Sequence, residues 1–156
     1  MDEARFSILQ SEIKAQTELI EEIYRKIEER KKDIEKSKSK LESLAYQLHN
    51  LYCAFEDLFK IIVDFFDNTV EEKGRHHVEL LRRMSISIRG IRPALLSNEG
   101  YRLLDNLRAF RHFFRHAYTY EMDLRKIKIV LQDALKLKEI YPGLVKNFLK
   151  KVKEES

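Results

Sequence analysis

A chain of 156 residues with 44% hydrophobic and 36% charged side chains has the length of one domain and enough apolar material to give it a core. Only four glycines and two prolines favour long helices over sheet. No apolar run approaches a membrane span, a single cysteine, Cys53, excludes an internal disulfide, and the opening MDEARFSILQSEIK is acidic and amphipathic, without the pattern of a secretory signal. A cytoplasmic protein is expected. The net charge of +4 is unevenly placed: residues 1–72 hold 11 basic against 17 acidic side chains, and residues 73–156 hold 19 against 9. The second half is the one suited to a polyanion.

In chain order, residues 3–35 read as a first long helix, because Phe6, Ile13, Ile20, Ile27 and Ile34 recur every seven positions with Leu9 and Ile23 between them. A bundle helix is favoured over a coiled coil, since Gln16 and Arg30 interrupt the second stripe position. KKDIEKSKSK is the weakest apolar stretch, and Ser39 followed by Glu42 makes a capping box. A second helix over 40–68 carries a broad apolar face from Leu41 to Phe66 and must be central. Cys53 lies in it and is most simply a buried small side chain. Glu56 and Asp57, inside it, read as a solvated pair on the far face.

A break at DNTVEEKGRHH is punctuated by Gly74. A short helix follows at 77–87, headed by His76 and His77, which read as a polar cap. Residues 88–100 are a loop containing Gly90, Pro93 and Gly100, whose Arg89 and Arg92, with Arg82 and Arg83 before it, are available to phosphate. A further helix is expected from 98 to 119 with Ser97 as its N-cap. Asp123 caps the next, over 124–139. Pro142 and Gly143 divide it from a final helix over 143–153, whose basic end is expected to fray.

The helix over 98–119 contains FRHFFRHAYTYE, residues 110–121. With Arg111 at zero and about 100° per residue, Tyr118, Arg115, Arg108, His112 and His116 fall between roughly −20° and 140°. Leu103, Leu107, Phe110, Phe113, Phe114 and Ala117 fill the opposite arc. One face is therefore apolar, and the other is a cationic strip bearing groups that titrate near neutral pH. A solvated face is the ordinary explanation of such a strip. Histidines, and the lack of any acid between Arg108 and Tyr120, argue for a phosphate-bearing ligand. His112 and His116 are also four apart, a zinc-compatible spacing, though no Cys pair or H-E-x-x-H accompanies them. No Gly-rich phosphate loop supports nucleotide binding.

Arg111, four residues, His116, one residue and Tyr118 form an R-x4-H-x-Y motif. Within FRHFFRHAYTYE, and with LYCAFEDLFKII upstream, it resembles the HEPN ribonucleases, specifically the HepT-like toxins, over most of the chain. The resemblance implies a single HEPN-like domain over 1–156, an all-α up-and-down bundle with long N-terminal helices. It implies a hydrolase: a ribonuclease, cutting RNA (tRNA or mRNA) as an endonuclease without cofactor or metal, in a type II toxin–antitoxin system. Arg111 and His116 would be catalytic. His112, Arg115 and Arg108 would support them or hold RNA phosphate, and Asp57 would orient Arg111 or His116. The implied partners are a minimal nucleotidyltransferase antitoxin, which silences such toxins by AMPylation of the tyrosine matching Tyr118, and a second copy of the chain that completes the site in a homodimer or a larger complex. The alternative is a non-catalytic HEPN module of a defence system that binds RNA or nucleotide.

The chemistry suits the residue types. RNA carries its own nucleophile, the 2′-hydroxyl. Cleavage needs a base, an acid and a cation over the phosphorane oxygens. A histidine fits proton transfer, and an arginine fits charge stabilisation because it stays protonated and can grip two oxygens. On an ideal helix, however, Arg111 and His116 stand about 140° apart. Either the helix distorts near His116 or the pair lines a groove shared with a second chain.

Overall fold

The computed structural model describes residues 1–67, 77–117 and 121–155. The break around Gly74, His76, Tyr118 and Tyr120 lie outside the described residues. The described residues form an all-α bundle of five helices: α1 (Glu3–Arg30), α2 (Lys38–Phe66), α3 (His77–Met84), α4 (Asn98–Arg115) and α5 (Leu124–Glu154), with a 3-10 turn at Ile34–Lys36. Among the described residues, no helix is long and apolar enough to cross a membrane.

α2 is the hub and touches every other helix. Its apolar residues are spread widely enough to serve two sides, so Leu44, Leu48, Leu51, Phe55, Phe59 and Ile62 are all buried. α1 packs along it through Leu9, Ile13, Ile20, Tyr24 and Ile27, and Gln16 Nε2 donates to the Ala54 carbonyl at 2.8 Å. α5 closes the bundle through aromatic contacts. Tyr24 stacks on Tyr141, Phe55 meets Tyr141 edge-on, and Phe66 meets Phe148 edge-on. The Tyr24 hydroxyl donates to the Ala134 carbonyl at 2.9 Å, and the Tyr141 hydroxyl bonds Glu21. Burial pushes both phenols above their usual range.

Several boundaries differ from the expected ones, each for a local reason. α1 stops at Arg30, not 35, because Asp33 turns left-handed at φ 58° and the chain drops only Ile34 into the core. α2 begins at Lys38, since Ser37 rather than Ser39 is the N-cap, its Oγ accepting from Lys40 N at 3.3 Å. Ser39 instead bonds that same Oγ. Ser97 does cap α4, accepting from Gly100 N at 3.1 Å. Gly100 therefore belongs to the helix. A Cβ there would stand 3.0 Å from Leu144 Cδ1, so glycine permits the close α4–α5 approach.

The division at Pro142 is absent: α5 runs unbroken for 31 residues, about 46 Å at 1.5 Å per residue. Proline removes one hydrogen bond and crowds the preceding turn. Here Pro142 and Gly143 lie on the exposed side, while Leu137, Tyr141, Phe148 and Val152 are buried on the other. That continuous packing holds the helix through the proline. It also orders the basic end, where Val152 is buried instead of frayed.

The segment between α3 and α4 is latched by an ion pair. Arg92, expected to be available to phosphate, has a fully buried side chain, and its partner Asp67 at the end of α2 is 2% exposed. Nε donates to Oδ1 at 2.7 Å and Nη2 to Oδ2 at 3.1 Å. The carbonyls of Ile86, Pro93 and Arg83 take further donors at 3.0, 3.3 and 3.2 Å. Gly90, at φ 77°, makes the turn that pairs Ile88 with Arg92.

Candidate functional site on helix α4

α4 lies against α2 through Leu103, Leu104, Leu107 and Phe110, all buried, with Phe114 partly buried against the same core. Phe113 does not join them. It is an exposed aromatic with the Lys126 ammonium 5.4 Å from its ring centroid. The opposite face displays the motif. His112, Arg115 and His116 are exposed, and Arg111 and Arg108 are half-buried.

The helix ends at Arg115, four residues earlier than expected, and this settles the angular separation of Arg111 and His116. His116 is the C-cap, with φ −110° and ψ 10°, and its N–H bonds the carbonyls of Phe113 and Phe114. It has left helical geometry, so the ideal-helix angle to Arg111 does not apply. Its ring meets that of His112 edge to face, with centroids 4.6 Å apart.

Arg111 is anchored from behind. Its Nε donates to Cys53 Sγ at 3.2 Å. Cys53 is thus not a simple core filler: it is half-buried between the motif arginine and His49, whose Nε2 lies 3.9 Å from the same sulfur. His49 stacks on Phe114 at 4.9 Å. Burial, then the charges of Arg111 and Arg115, hold its pKa below the ordinary imidazole value. One turn along α2, burial raises the Tyr52 phenol, and Glu56, Arg108, Arg111 and Asp105 all act on it electrostatically. The Tyr52 hydroxyl and His49 Nδ1 are buried with no hydrogen-bond partner among the described residues.

Two expected supporting residues stand differently. Asp57 is 61% exposed, with its carboxylate 3.8 Å from Lys60, so it does not orient Arg111 or His116 within this chain. The acid on the inner side is its neighbour Glu56, 4% exposed. α2 turns about 100° per residue, so only one of two adjacent acids can face the motif helix. Arg108 is paired, its Nε 2.8 Å from Asp105 Oδ1, an acid one turn before the strip. His49 escaped the sequence reading, and Cys53 and Glu56 were read there as a core filler and a solvated acid. Their i, i+4, i+7 spacing makes a polar stripe on an otherwise apolar helix, and that signal was available.

No group of three or more His, Cys, Asp or Glu side chains that could hold a metal ion occurs among the described residues. The family model described as HepT-like protein matches residues 43–152. The chain belongs to the HepT-like proteins. That match takes in α4, α3 and all of α2 beyond its first residues. No curated protein and no solved structure gives a significant match. Among HepT-like residues of this chain, Arg111, His112, Arg115 and His116 are brought together at the end of α4, with Cys53 and His49 of α2 behind them.

Proposed function

We propose that this HepT-like chain is an endoribonuclease toxin that uses the 2′-hydroxyl of RNA as its nucleophile. The supporting observation is the end of α4. His116 leaves the helix beside His112, after an Arg111 whose Nε is anchored on Cys53. A guanidinium held in place through Nε is a planar, permanently charged group of the kind that grips two phosphate oxygens.

The 2′ oxygen attacks phosphorus and gives its proton to a base. The P–O5′ bond breaks, and the leaving oxygen takes a proton from an acid. The products are a 2′,3′-cyclic phosphate and a 5′-hydroxyl. His116 serves proton transfer, Arg111 neutralises the phosphorane oxygens, and His112, Arg115 and Arg108 hold the flanking backbone. A second copy, with its α4 facing this one, supplies the other half of the site. A minimal nucleotidyltransferase antitoxin silences the toxin by adding AMP to Tyr118, placing negative charge in the cationic strip.

Arg111→Ala and His116→Ala should each abolish growth arrest and lower RNA cleavage by about 100-fold or more. Cleavage should persist in EDTA. Wild-type cleavage in both variants, or an EDTA loss that zinc restores, would defeat the assignment. Sedimentation should show a dimer at micromolar concentration. Antitoxin with ATP should add AMP mass to the wild type and not to Tyr118→Phe.

A further inference from the structure

A row of rings links the core to the surface beside the motif. Phe110 lies 6.0 Å from Phe114, Phe114 stacks on His49 at 4.9 Å and 25°, and His49 is followed by Tyr46 at 6.4 Å and 31°. The row ends in the open, since Tyr46 is 53% exposed. α2 and α4 run antiparallel here, with Cys53 against Arg111 and His49 against Phe114. One further turn back along α2, Tyr46 therefore stands toward the Arg115 and His116 end of α4.

An exposed tyrosine with a ring behind it, set toward the end of α4 that carries Arg115 and His116, suits a specific chemical partner. Isolated exposed aromatics are common, but this one caps a supported stack whose inner member, His49, senses the charges of both Arg111 and Arg115. A nucleobase offers a flat π-face of the right size, and its own phosphate offers the charge. Base–aromatic stacking beside a cationic backbone track is how single-stranded nucleic acids are held without sequence readout. A protein partner would use the ring as part of a wider apolar patch. Besides His49, the residues that share its face three and four positions away are Glu42, Ser43 and Asn50, all polar, so none widens the patch.

We infer that Tyr46 is a stacking platform for an unpaired nucleobase of the RNA whose phosphate lies on Arg111 and Arg115. The inference rests on the ribonuclease reading for its ligand but concerns binding, not cleavage. The site favours single-stranded over duplex RNA, because a base must leave its stack to reach the ring.

The chain has no tryptophan, so Tyr46→Trp is a one-site reporter. It would be titrated with a single-stranded 2′-O-methyl oligoribonucleotide, which lacks the nucleophile and cannot be cut, and with inorganic polyphosphate. The oligonucleotide should quench the fluorescence strongly, and polyphosphate should not. Stacking on one ring is worth about tenfold or more in affinity. Tyr46→Ala should therefore weaken oligonucleotide binding about tenfold and raise KM with kcat unchanged, while Tyr46→Phe should keep both near wild type. Oligonucleotide binding by anisotropy with a silent Trp reporter would overturn the inference. So would a Tyr46→Ala affinity within twofold of wild type, or a Tyr46→Ala defect confined to antitoxin neutralisation. An oligonucleotide that binds with quenching to a protein that cleaves no RNA would refute the ribonuclease reading and leave the platform standing.

Discussion

Replacing Asp67 by Ala tests the latch between α2 and the segment before α4. The substitution leaves the Arg92 guanidinium buried without its counter-charge. Breaking a buried pair from one side costs about 3–5 kcal/mol. The three carbonyls that accept from Nη1 and Nη2 soften this, while Nε loses the acceptor it has at 2.7 Å. The low end, about 3 kcal/mol, is expected. Arg83, 3.7 Å from Asp67 and partly exposed, adds little. With a urea dependence of about 2 kcal/mol per molar, the unfolding midpoint should fall by about 1.5 M. Asp67→Asn keeps the shape and one acceptor, and should cost about half as much. Arg92→Met in turn leaves the Asp67 carboxylate without its buried partner, whereas the double variant buries neither charge alone, so it should cost less than the two singles together, with a coupling of about 2 kcal/mol. Urea unfolding followed by helical circular dichroism reads the wild type and all four variants. A midpoint shift under 0.5 M for Asp67→Ala, or strict additivity in the double variant, would show that the pair contributes nothing beyond its separate side chains.

Three further outcomes are expected. Pro142→Ala should raise stability by about 1–2 kcal/mol, since the helix hydrogen bond it restores and the crowding it relieves outweigh the freedom returned to the unfolded chain; an unchanged or lower urea midpoint would contradict the unbroken α5. His49 faces Arg111 and Arg115 from α4 and Cys53 and Tyr46 on its own helix, and its folded pKa lies below the ordinary imidazole value of 6.5. The unfolded chain therefore binds the proton more readily, so this contribution is intact above about pH 6.5 and is lost as pH falls toward the folded pKa. Between pH 7.5 and 5.5 the wild type should lose more stability than His49→Gln, and equal losses would contradict the shift. Gly100→Val should destabilise by about 1–3 kcal/mol through contact with Leu144, read as a fall in melting temperature, and a neutral result would show that α5 yields there.

The helices were legible where burial and local chemistry agree. α2 and the Ser97 cap of α4 follow directly from apolar periodicity and N-cap chemistry, and the all-α class follows from the lack of breakers. Pro142 misled because its penalty is local, whereas the packing of Tyr141, Phe148 and Val152 that overrides it is tertiary. The end of α4 misled for the converse reason: the apolar pattern continues to Ala117, yet the backbone turns out at His116. At the site, the motif residues stood out through the resemblance of FRHFFRHAYTYE to the HepT-like toxins. Their support could not, because which of Glu56 and Asp57 turns inward depends on the rotation of α2 against α4, and the contact of Cys53 with Arg111 joins residues 58 positions apart. Arg92 could not be told from Arg89 by composition, since only the fold brings Asp67 to it.

The family match begins at residue 43, five residues into α2, so the boundary of the shared sequence cuts through a helix rather than between two. A fragment trimmed to that boundary would lose α1 and the first turn of α2. Leu44, Leu48, Leu51, Phe55 and Leu58 keep their places on the hub helix, but the cover that Leu9, Ile13, Ile20, Tyr24 and Ile27 contribute would be gone. Such a fragment would carry every motif residue and yet present a greasy flank to solvent, and it should aggregate or borrow a helix from another chain. The stretch that the family shares and the stretch that folds are then different lengths of chain, and recombinant expression should follow the second.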